Sequence, residues 1–326
     1  PGVCGSLLGA GLANPPRGAG IMSVVIEAKE LSKWFGEVVA VNNLDVTIES
    51  GVTGLLGPNG AGKSTFIKLA MGLYGPSRGT IKVFGQSPRN NMDVLRRIGY
   101  CPEFDRFPDN TTGFEFVYWL NRFYGLTGGE ATKRAEEACE RVKMTERMDD
   151  LIETYSRGMR QGIKIAQALA PSPELLFLDE PMAGLDPEGR EEMFALIREL
   201  GENGRAVIVS SHILYEIERV TSHVVLLHNG CILARGRVHD MRELIDEHPL
   251  AVTVGCGSPR DLARHFAEDG ATLSIEFEDG RVTVRTRDPN GFFEKLNRLV
   301  ADKAVDVTSF ACADADLQSV FQYLVR

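Results

Sequence analysis

No stretch of this chain approaches the run of about 20 apolar residues that a membrane-spanning helix requires. Any role at a membrane therefore has to run through a partner. The six cysteines (Cys4, Cys101, Cys139, Cys231, Cys256, Cys312) show no CxxC spacing. They read as reduced intracellular thiols, not as a disulfide frame or a zinc site. Net positive charge is also missing: 36 Lys and Arg against 45 Asp and Glu give −9, which argues against nucleic acid as a partner. Residues 1–21 carry Gly, Ala and Pro but no basic segment before Leu7-Leu8, so they make a poor secretory signal. A disordered leader before Met22 is the expectation there. At 326 residues the chain is long enough for two domains.

What the chain does contain is organised around residues 57–65, GPNGAGKST. The apolar run Val52–Leu56 precedes it and the helix-prone Phe66–Met71 follows, the setting a phosphate-binding P-loop needs. Gly57, Gly60 and Gly62 let the backbone curl, so that several N–H groups aim at one anion. Lys63 can reach a β- or γ-phosphate, and Ser64 can offer a hydroxyl to Mg²⁺. The dipole of the following helix adds positive potential at the same point. A nucleoside triphosphate is the implied ligand, held by Gly57, Asn59, Gly60, Ala61, Gly62, Lys63, Ser64 and Thr65.

Around this loop the pattern is mixed. Val24–Leu31 and Val38–Ile48 read as strands bracketing a turn at Lys33-Trp34-Phe35-Gly36. Phe35 can pack in a core or stack on a purine. Ile98–Glu103 reads as a strand entering a loop, and Gly113–Tyr124 and Glu130–Val142 as helices. The aromatics of the first helix suit a core or a docking surface. Tyr155–Gln161 precedes a helix at Ile163–Ala170, with Ser156 placed as an N-cap. The run Leu175–Leu178 ends in Asp179 and Glu180; a buried parallel strand would deliver both carboxylates to the ligand edge of a sheet. There Asp179 can hold Mg²⁺, and Glu180 can orient or deprotonate a water. Asp186 is a plausible N-cap for a helix at 188–200. A second apolar strand, Ala206–Val209, ends in Ser210-Ser211-His212. A lone histidine is more often structural, but one at the end of a strand parallel to the Asp-Glu strand is a better candidate.

In chain order, GPNGAGKST, the turn at 98–103, YSRGMRQ (155–161), LLFLDEP (175–181), AGLD (183–186) and SSH (210–212) resemble the motifs of ATP-binding cassette (ABC) ATPases. The match spans about residues 24–245 and looks most like the ABC-2 type exporter branch. The resemblance implies an α/β P-loop NTPase cassette: a RecA-like parallel sheet core, an antiparallel β subdomain and a helical subdomain at about 104–172, all within 22–246. It implies ATP and Mg²⁺ as cofactors, with Ser64, Glu103 and Asp179 at the metal. Glu180 matches the catalytic glutamate, His212 the switch histidine, and Phe35 the adenine-stacking aromatic. Ser156 and Gly158 match the signature loop and Asp186 the D-loop, which contact ATP bound to the opposite cassette. The implied partners are a second copy or sibling cassette and a membrane permease, on the inner face of the cell membrane. Soluble ABC-type ATPases and weakly hydrolysing regulatory subunits are the alternative readings.

The chain departs from the family pattern at three places. Tyr155, Arg157 and Met159 replace residues of the usual LSGGQ, Glu103 replaces the Q-loop glutamine, and Ser222-His223 replace a common Asp-Arg. An arginine at 157 could bring a cation near the γ-phosphate or point to solvent. Residues 247–326 alternate as β-α-β-β-α-β with a final helix at Asp314–Leu324, and resemble a ferredoxin-like α+β domain. No acids, His or Cys cluster there, so the expected role is dimer support or regulation. Leu317–Phe321 is similar to the ending of exporter cassettes.

Overall fold

Strands with no polar face build the middle of the structure. All five residues of Leu175–Asp179 and all six of Ala206–Ser211 are buried, as parallel strands covered on both faces must be. The computed structural model describes residues 23–237, 250–278 and 280–312. The expected leader, the helix at 314–324 and the 317–321 ending lie outside the described residues. The chain divides into two compact units, one ending at Arg235 and one starting at Gly236.

The first unit runs β1 (Val24–Phe35), β2 (Val38–Glu49), β3 (Gly51–Leu56), α1 (Lys63–Ala70), β4 (Arg78–Val83), α2 (Met92–Leu95) and β5 (Ile98–Cys101). Helices α3 (Gly113–Phe123), α4 (Gly128–Arg141) and α5 (Arg157–Leu169) follow, then β6 (Leu175–Asp179), α6 (Pro187–Glu202) and β7 (Ala206–Ser211). Helix α7 (Leu214–Glu218), β8 (His223–His228) and all but the last two residues of β9 (Cys231–Arg237) complete it. The central sheet has the order β5-β6-β7-β3-β8-β9, with β5 through β8 parallel. A second, antiparallel sheet, β2-β1-β4, shares one core with α1 and the central sheet through Ile26, Leu31, Val41, Phe66 and Phe177. Helices α3, α4 and α5 enclose a separate core of Val117, Ala135, Cys139, Tyr155, Ile163 and Ala166.

Two local expectations need correction. Lys33–Phe35 is not a turn: β1 continues through Phe35, paired to Val38, and the chain reverses at Gly36-Glu37, where Gly36 takes φ +59°. The helix expected at Ile163 begins six residues earlier, at Arg157. The Ser156 hydroxyl accepts from the Met159 N–H at 3.2 Å, so the cap starts the helix inside the Tyr155–Gln161 segment itself.

Register positions the ends of the central strands. Asp179 pairs with Ser210, Leu55 with Ser210 and Leu56 with Ser211. Gly57, Glu180 and His212, the residues just beyond these strands, therefore emerge together at the carboxyl edge, where open α/β sheets bind ligands.

In the second unit, Leu250–Cys256, Thr272–Glu278, Arg281–Thr286 and Val307–Cys312 form one antiparallel sheet. Its spatial order places Arg281–Thr286 between the Thr272 and Leu250 strands, and the Val307 strand beyond Leu250. The last strand starts at Val307, three residues after the expected Ala304. Helices Pro259–Ala267 and Pro289–Ala301 supply Leu262, Phe266, Phe292 and Leu296 to a core with Val252, Val254, Val282 and Val284. Among the described residues, no helix is long and apolar enough to cross a membrane.

Candidate functional site

The loop after β3 closes on a glycine that no other residue could replace without strain. Gly62, the N-cap of α1, has φ +104°, and a Cβ there would lie 2.5 Å from the Ala40 carbonyl oxygen. The next residue, Lys63, is buried although charged, at 6% exposure. Its ammonium donates to the Gly57 carbonyl at 2.6 Å and stands 3.1 Å from Glu180 Oε1. That carboxylate oxygen is buried and has no hydrogen bond of good geometry, so the contact is one of charge with charge. Ser64 and Thr65 sit half-buried on the first turn of α1, Asn59 and Gly60 are exposed in the loop, and Ala61 is buried.

The strand-end carboxylates are held by a residue that the sequence reading mentions only as a flank. Ser210 Oγ donates to Asp179 Oδ1 at 2.6 Å and accepts from the Glu180 N–H at 2.8 Å. Both bonds are buried, which raises the cost of losing either. Glu180 needs this support because its φ is +50°, a left-handed conformation that costs a non-glycine residue on the order of 1 kcal/mol. Its other oxygen, Oε2, lies 3.0 Å from His212 Nδ1. Lys63, Glu180 and His212 thus form a chain of contacts across the ends of β3, β6 and β7.

Glu103 joins this group electrostatically. It is exposed at one side, but partial desolvation and the Asp179 and Glu180 carboxylates push its carboxyl above the usual range, while Lys63 and His212 act in the opposite sense. Burial and the same Asp179 charge raise the Tyr100 hydroxyl. Burial also drives the Cys101 thiol up to about 12.

The other site residues form two further groups. Ser156 and Gly158 lie at the exposed start of α5, beside the 183–186 loop. Gly184 has φ +73°, and a side chain there would collide with the Arg157 guanidinium, which occupies that space. The Arg157 guanidinium therefore packs against the 183–186 loop of its own chain, while the residue itself stays exposed. Asp186 caps α6 by accepting from the Gly189 N–H at 3.1 Å. Phe35, 43% exposed, is held edge-on by Tyr74 at 5.2 Å, with Lys33 5.0 Å from its ring centre. Among the described residues, no hydrogen bond or ion pair joins Ser156, Gly158, Asp186 or Phe35 to the Gly57–Thr65 loop.

The chain that carries this arrangement resembles known proteins in sequence and in fold. A family model described as ABC transporter matches residues 41–183. The bacitracin transport ATP-binding protein BcrA of Bacillus licheniformis is 33% identical over 316 residues, 93% of this chain and 98% of that protein. The daunorubicin/doxorubicin resistance ATP-binding protein DrrA of Streptomyces peucetius is 31% identical over 300 residues, 91% of each chain. Among solved structures, an ATP-binding subunit of an ABC transporter superposes with a TM-score of 0.62 at 30% identity, over 68% of this chain and 93% of that one. The ADP- and phosphate-bound dimeric cassette MJ0796 shares the fold, with a TM-score of 0.60 at 24% identity over 65% of this chain and 98% of its own. With identity of this order across nearly the full length of two relatives, the chain belongs to the ABC transporter ATP-binding family.

Proposed function

We propose that this chain is the ATP-binding and ATP-hydrolysing subunit of an ABC exporter. The observation that carries the reading is the convergence of Lys63, Asp179, Glu180 and His212 at the end of the parallel sheet, with Ser210 bracing both carboxylates. Lys63 already lies among oxygen atoms and exchanges its loop carbonyl and carboxylate contacts for β- and γ-phosphate oxygens when ATP binds. Glu180, with one oxygen free of hydrogen bonds, orients the attacking water and takes its proton. His212, on the other carboxylate oxygen, fixes the direction in which Glu180 points.

The donor set fits Mg²⁺, a hard cation that needs oxygen ligands. Among the described residues, no three His, Cys, Asp or Glu side chains could hold an ion together. That suits Mg²⁺, which takes one or two protein ligands and completes its shell with phosphates and water. Asp179 and the Ser64 hydroxyl are those ligands in this reading, with Glu103 beside them; the ion neutralises charge on the phosphates.

Ser156, Gly158 and Asp186 serve the ATP of a second cassette, a copy of this chain or a sibling, in a head-to-tail pair. Phe35, exposed and backed by Tyr74, stacks on adenine. A separate membrane permease docks near Glu103 and α3, where Phe104, Trp119 and Phe123 are exposed, and it keeps the cassette at the inner membrane face. Residues 22–246 make up the cassette, and the β-α-β-β-α-β unit after it is a ferredoxin-like accessory domain that supports the dimer or regulates it. The likeness to a bacitracin transport protein and a daunorubicin/doxorubicin resistance protein favours an outward-moving cargo.

The test is ATP turnover by the purified chain with Mg²⁺. Glu180→Gln should bind ATP with wild-type affinity and lose turnover by 100-fold or more, in the range of about 10²–10⁴ for a general base. Wild-type turnover in that variant would overturn the assignment.

A further inference from the structure

One face of α5 holds the whole segment that leads into the catalytic edge. Gln161 Nε2 donates to Cys101 Sγ at 3.7 Å, and Gln167 Nε2 to the Tyr100 carbonyl at 2.6 Å. Between them Lys164, its side chain 4% exposed, donates to the Pro102 carbonyl at 3.1 Å and the Glu103 carbonyl at 3.0 Å. It also pairs with Asp105 Oδ1 at 2.8 Å. The three residues recur at spacings of three along the helix, which puts them in one row.

For stability alone, an apolar side chain of similar volume would serve position 164 as well or better, because burying an ammonium costs several kcal/mol of solvation. What only lysine supplies is three directed donors on a compact head. All three are spent on residues 102–105, so the bonds fix where the Glu103 backbone stands relative to α5. The same helix begins with Ser156, Arg157 and Gly158. A rigid helix of 13 residues therefore connects the signature turn to the loop that carries Glu103.

We propose that Lys164 is a positioning residue that fastens the Glu103 segment to the signature helix, so that carboxylate and signature turn move as one body. Contact of the signature turn with nucleotide on a second cassette is thereby transmitted to the Glu103 side of this chain's own site. The role rests on the ATPase reading above, and it gives the glutamate at the Q-loop position a fixed placement that its exposed side chain alone would not have.

The experiment is a double-mutant cycle on the full chain, with Lys164→Met, Glu103→Ala and the pair, reading kcat and KM for Mg-ATP. Because Asp105 is the more exposed partner, Asp105→Ala runs in parallel as a milder break that leaves the carbonyl bonds intact, and thermal unfolding confirms that each variant is folded. Lys164→Met should lower kcat about tenfold with KM within about twofold, since a displaced catalytic group costs turnover more than binding. Asp105→Ala should lower kcat about threefold in the same pattern. In the Glu103→Ala background, Lys164→Met should add less than about twofold, because the group it positions is already gone. Additive losses, or unchanged kcat in folded Lys164→Met or Asp105→Ala, overturn the proposal while leaving the ATPase reading standing. Absence of turnover in the wild-type chain overturns the ATPase reading and this proposal with it.

Discussion

Removal of the Ser210 hydroxyl should separate stability from chemistry. Ser210→Ala deletes a bond donated to Asp179 at 2.6 Å and one accepted from the Glu180 N–H at 2.8 Å, both buried. Each orphaned buried group costs about 1–3 kcal/mol, with the charged carboxylate at the upper end, so the loss sums to about 2–6 kcal/mol. At about 2–4 °C per kcal/mol for a domain of this size, that lowers Tm by about 4–24 °C. Turnover should fall further than stability requires. Glu180 loses the bond that holds its left-handed backbone, and misplacing a catalytic group by about 1 Å can cost roughly 100-fold. The control is Thr221→Ala, which also deletes one donated and one accepted bond, to the part-buried Val52 carbonyl and from the exposed His223 N–H, with neither partner among the carboxylates. Differential scanning calorimetry and a phosphate-release assay on both variants settle the matter. If Ser210→Ala melts like wild type, or loses no more activity than Thr221→Ala, the idea that Ser210 braces the catalytic pair is wrong.

Other consequences can be checked as directly. Gly184→Ala should lower Tm, since φ +73° disfavours a side chain by about 1–2 kcal/mol and the new methyl meets the Arg157 guanidinium; Arg157→Ala in the same chain should recover the steric part only. Glu103→Gln should raise Tm at pH well above the raised carboxyl pKa, where the wild-type group is ionised in the folded chain at a cost. Because the folded state binds that proton more tightly than the unfolded chain, wild-type stability rises relative to the variant as pH falls through the raised pKa, and the gap closes below the ordinary glutamate value of 4.5. A gap that widens toward acid would refute the assignment. Burial holds the Cys101 and Cys139 thiols up to about 12 and about 11, so both should resist a thiol reagent at about pH 8 in the folded chain and react on unfolding.

Much of the site could be read from the chain because its parts carry local chemistry. GPNGAGKST needs its glycines for backbone shape and its lysine for charge, and Leu175–Asp179 announces a buried strand that ends in acid. What escaped reading depends on pairing between segments far apart in sequence. Ser210 looks like a small residue at a strand end until the parallel register sets it opposite Asp179. Lys164 looks like an ordinary solvated helix residue, because a lysine is rarely buried, and only the packing of α5 against the chain after β5 reveals the exception. The start of α5 is hidden in the sequence for a different, local reason. Arg157-Gly158-Met159 lacks apolar periodicity, and one capping hydroxyl outweighs that pattern. In the second unit the Leu250–Cys256 and Arg281–Thr286 strands are legible from alternation, since Val252, Val254, Val282 and Val284 face a core shared with two helices.

The separation of Ser156 and Gly158 from the Gly57–Thr65 loop within one chain leads to the sharpest prediction about assembly. If each ATP is held by the P-loop of one copy and the signature turn of another, two differently broken chains can complement each other. Lys63→Ala destroys the phosphate grip and Ser156→Arg blocks the signature turn, so each is inactive as a homodimer. In a head-to-tail heterodimer, one of the two composite sites combines the broken loop with the broken turn, and the other combines both intact halves. Mixed in equal amounts, half of the dimers are mixed and each carries one of two sites, so turnover should return to about a quarter of wild type if one site suffices. A site complete within a single chain predicts no recovery at any ratio. Phosphate release measured against mixing ratio, with both variants shown to be folded, distinguishes the two, and a flat baseline would refute the paired reading of Ser156 and Lys63.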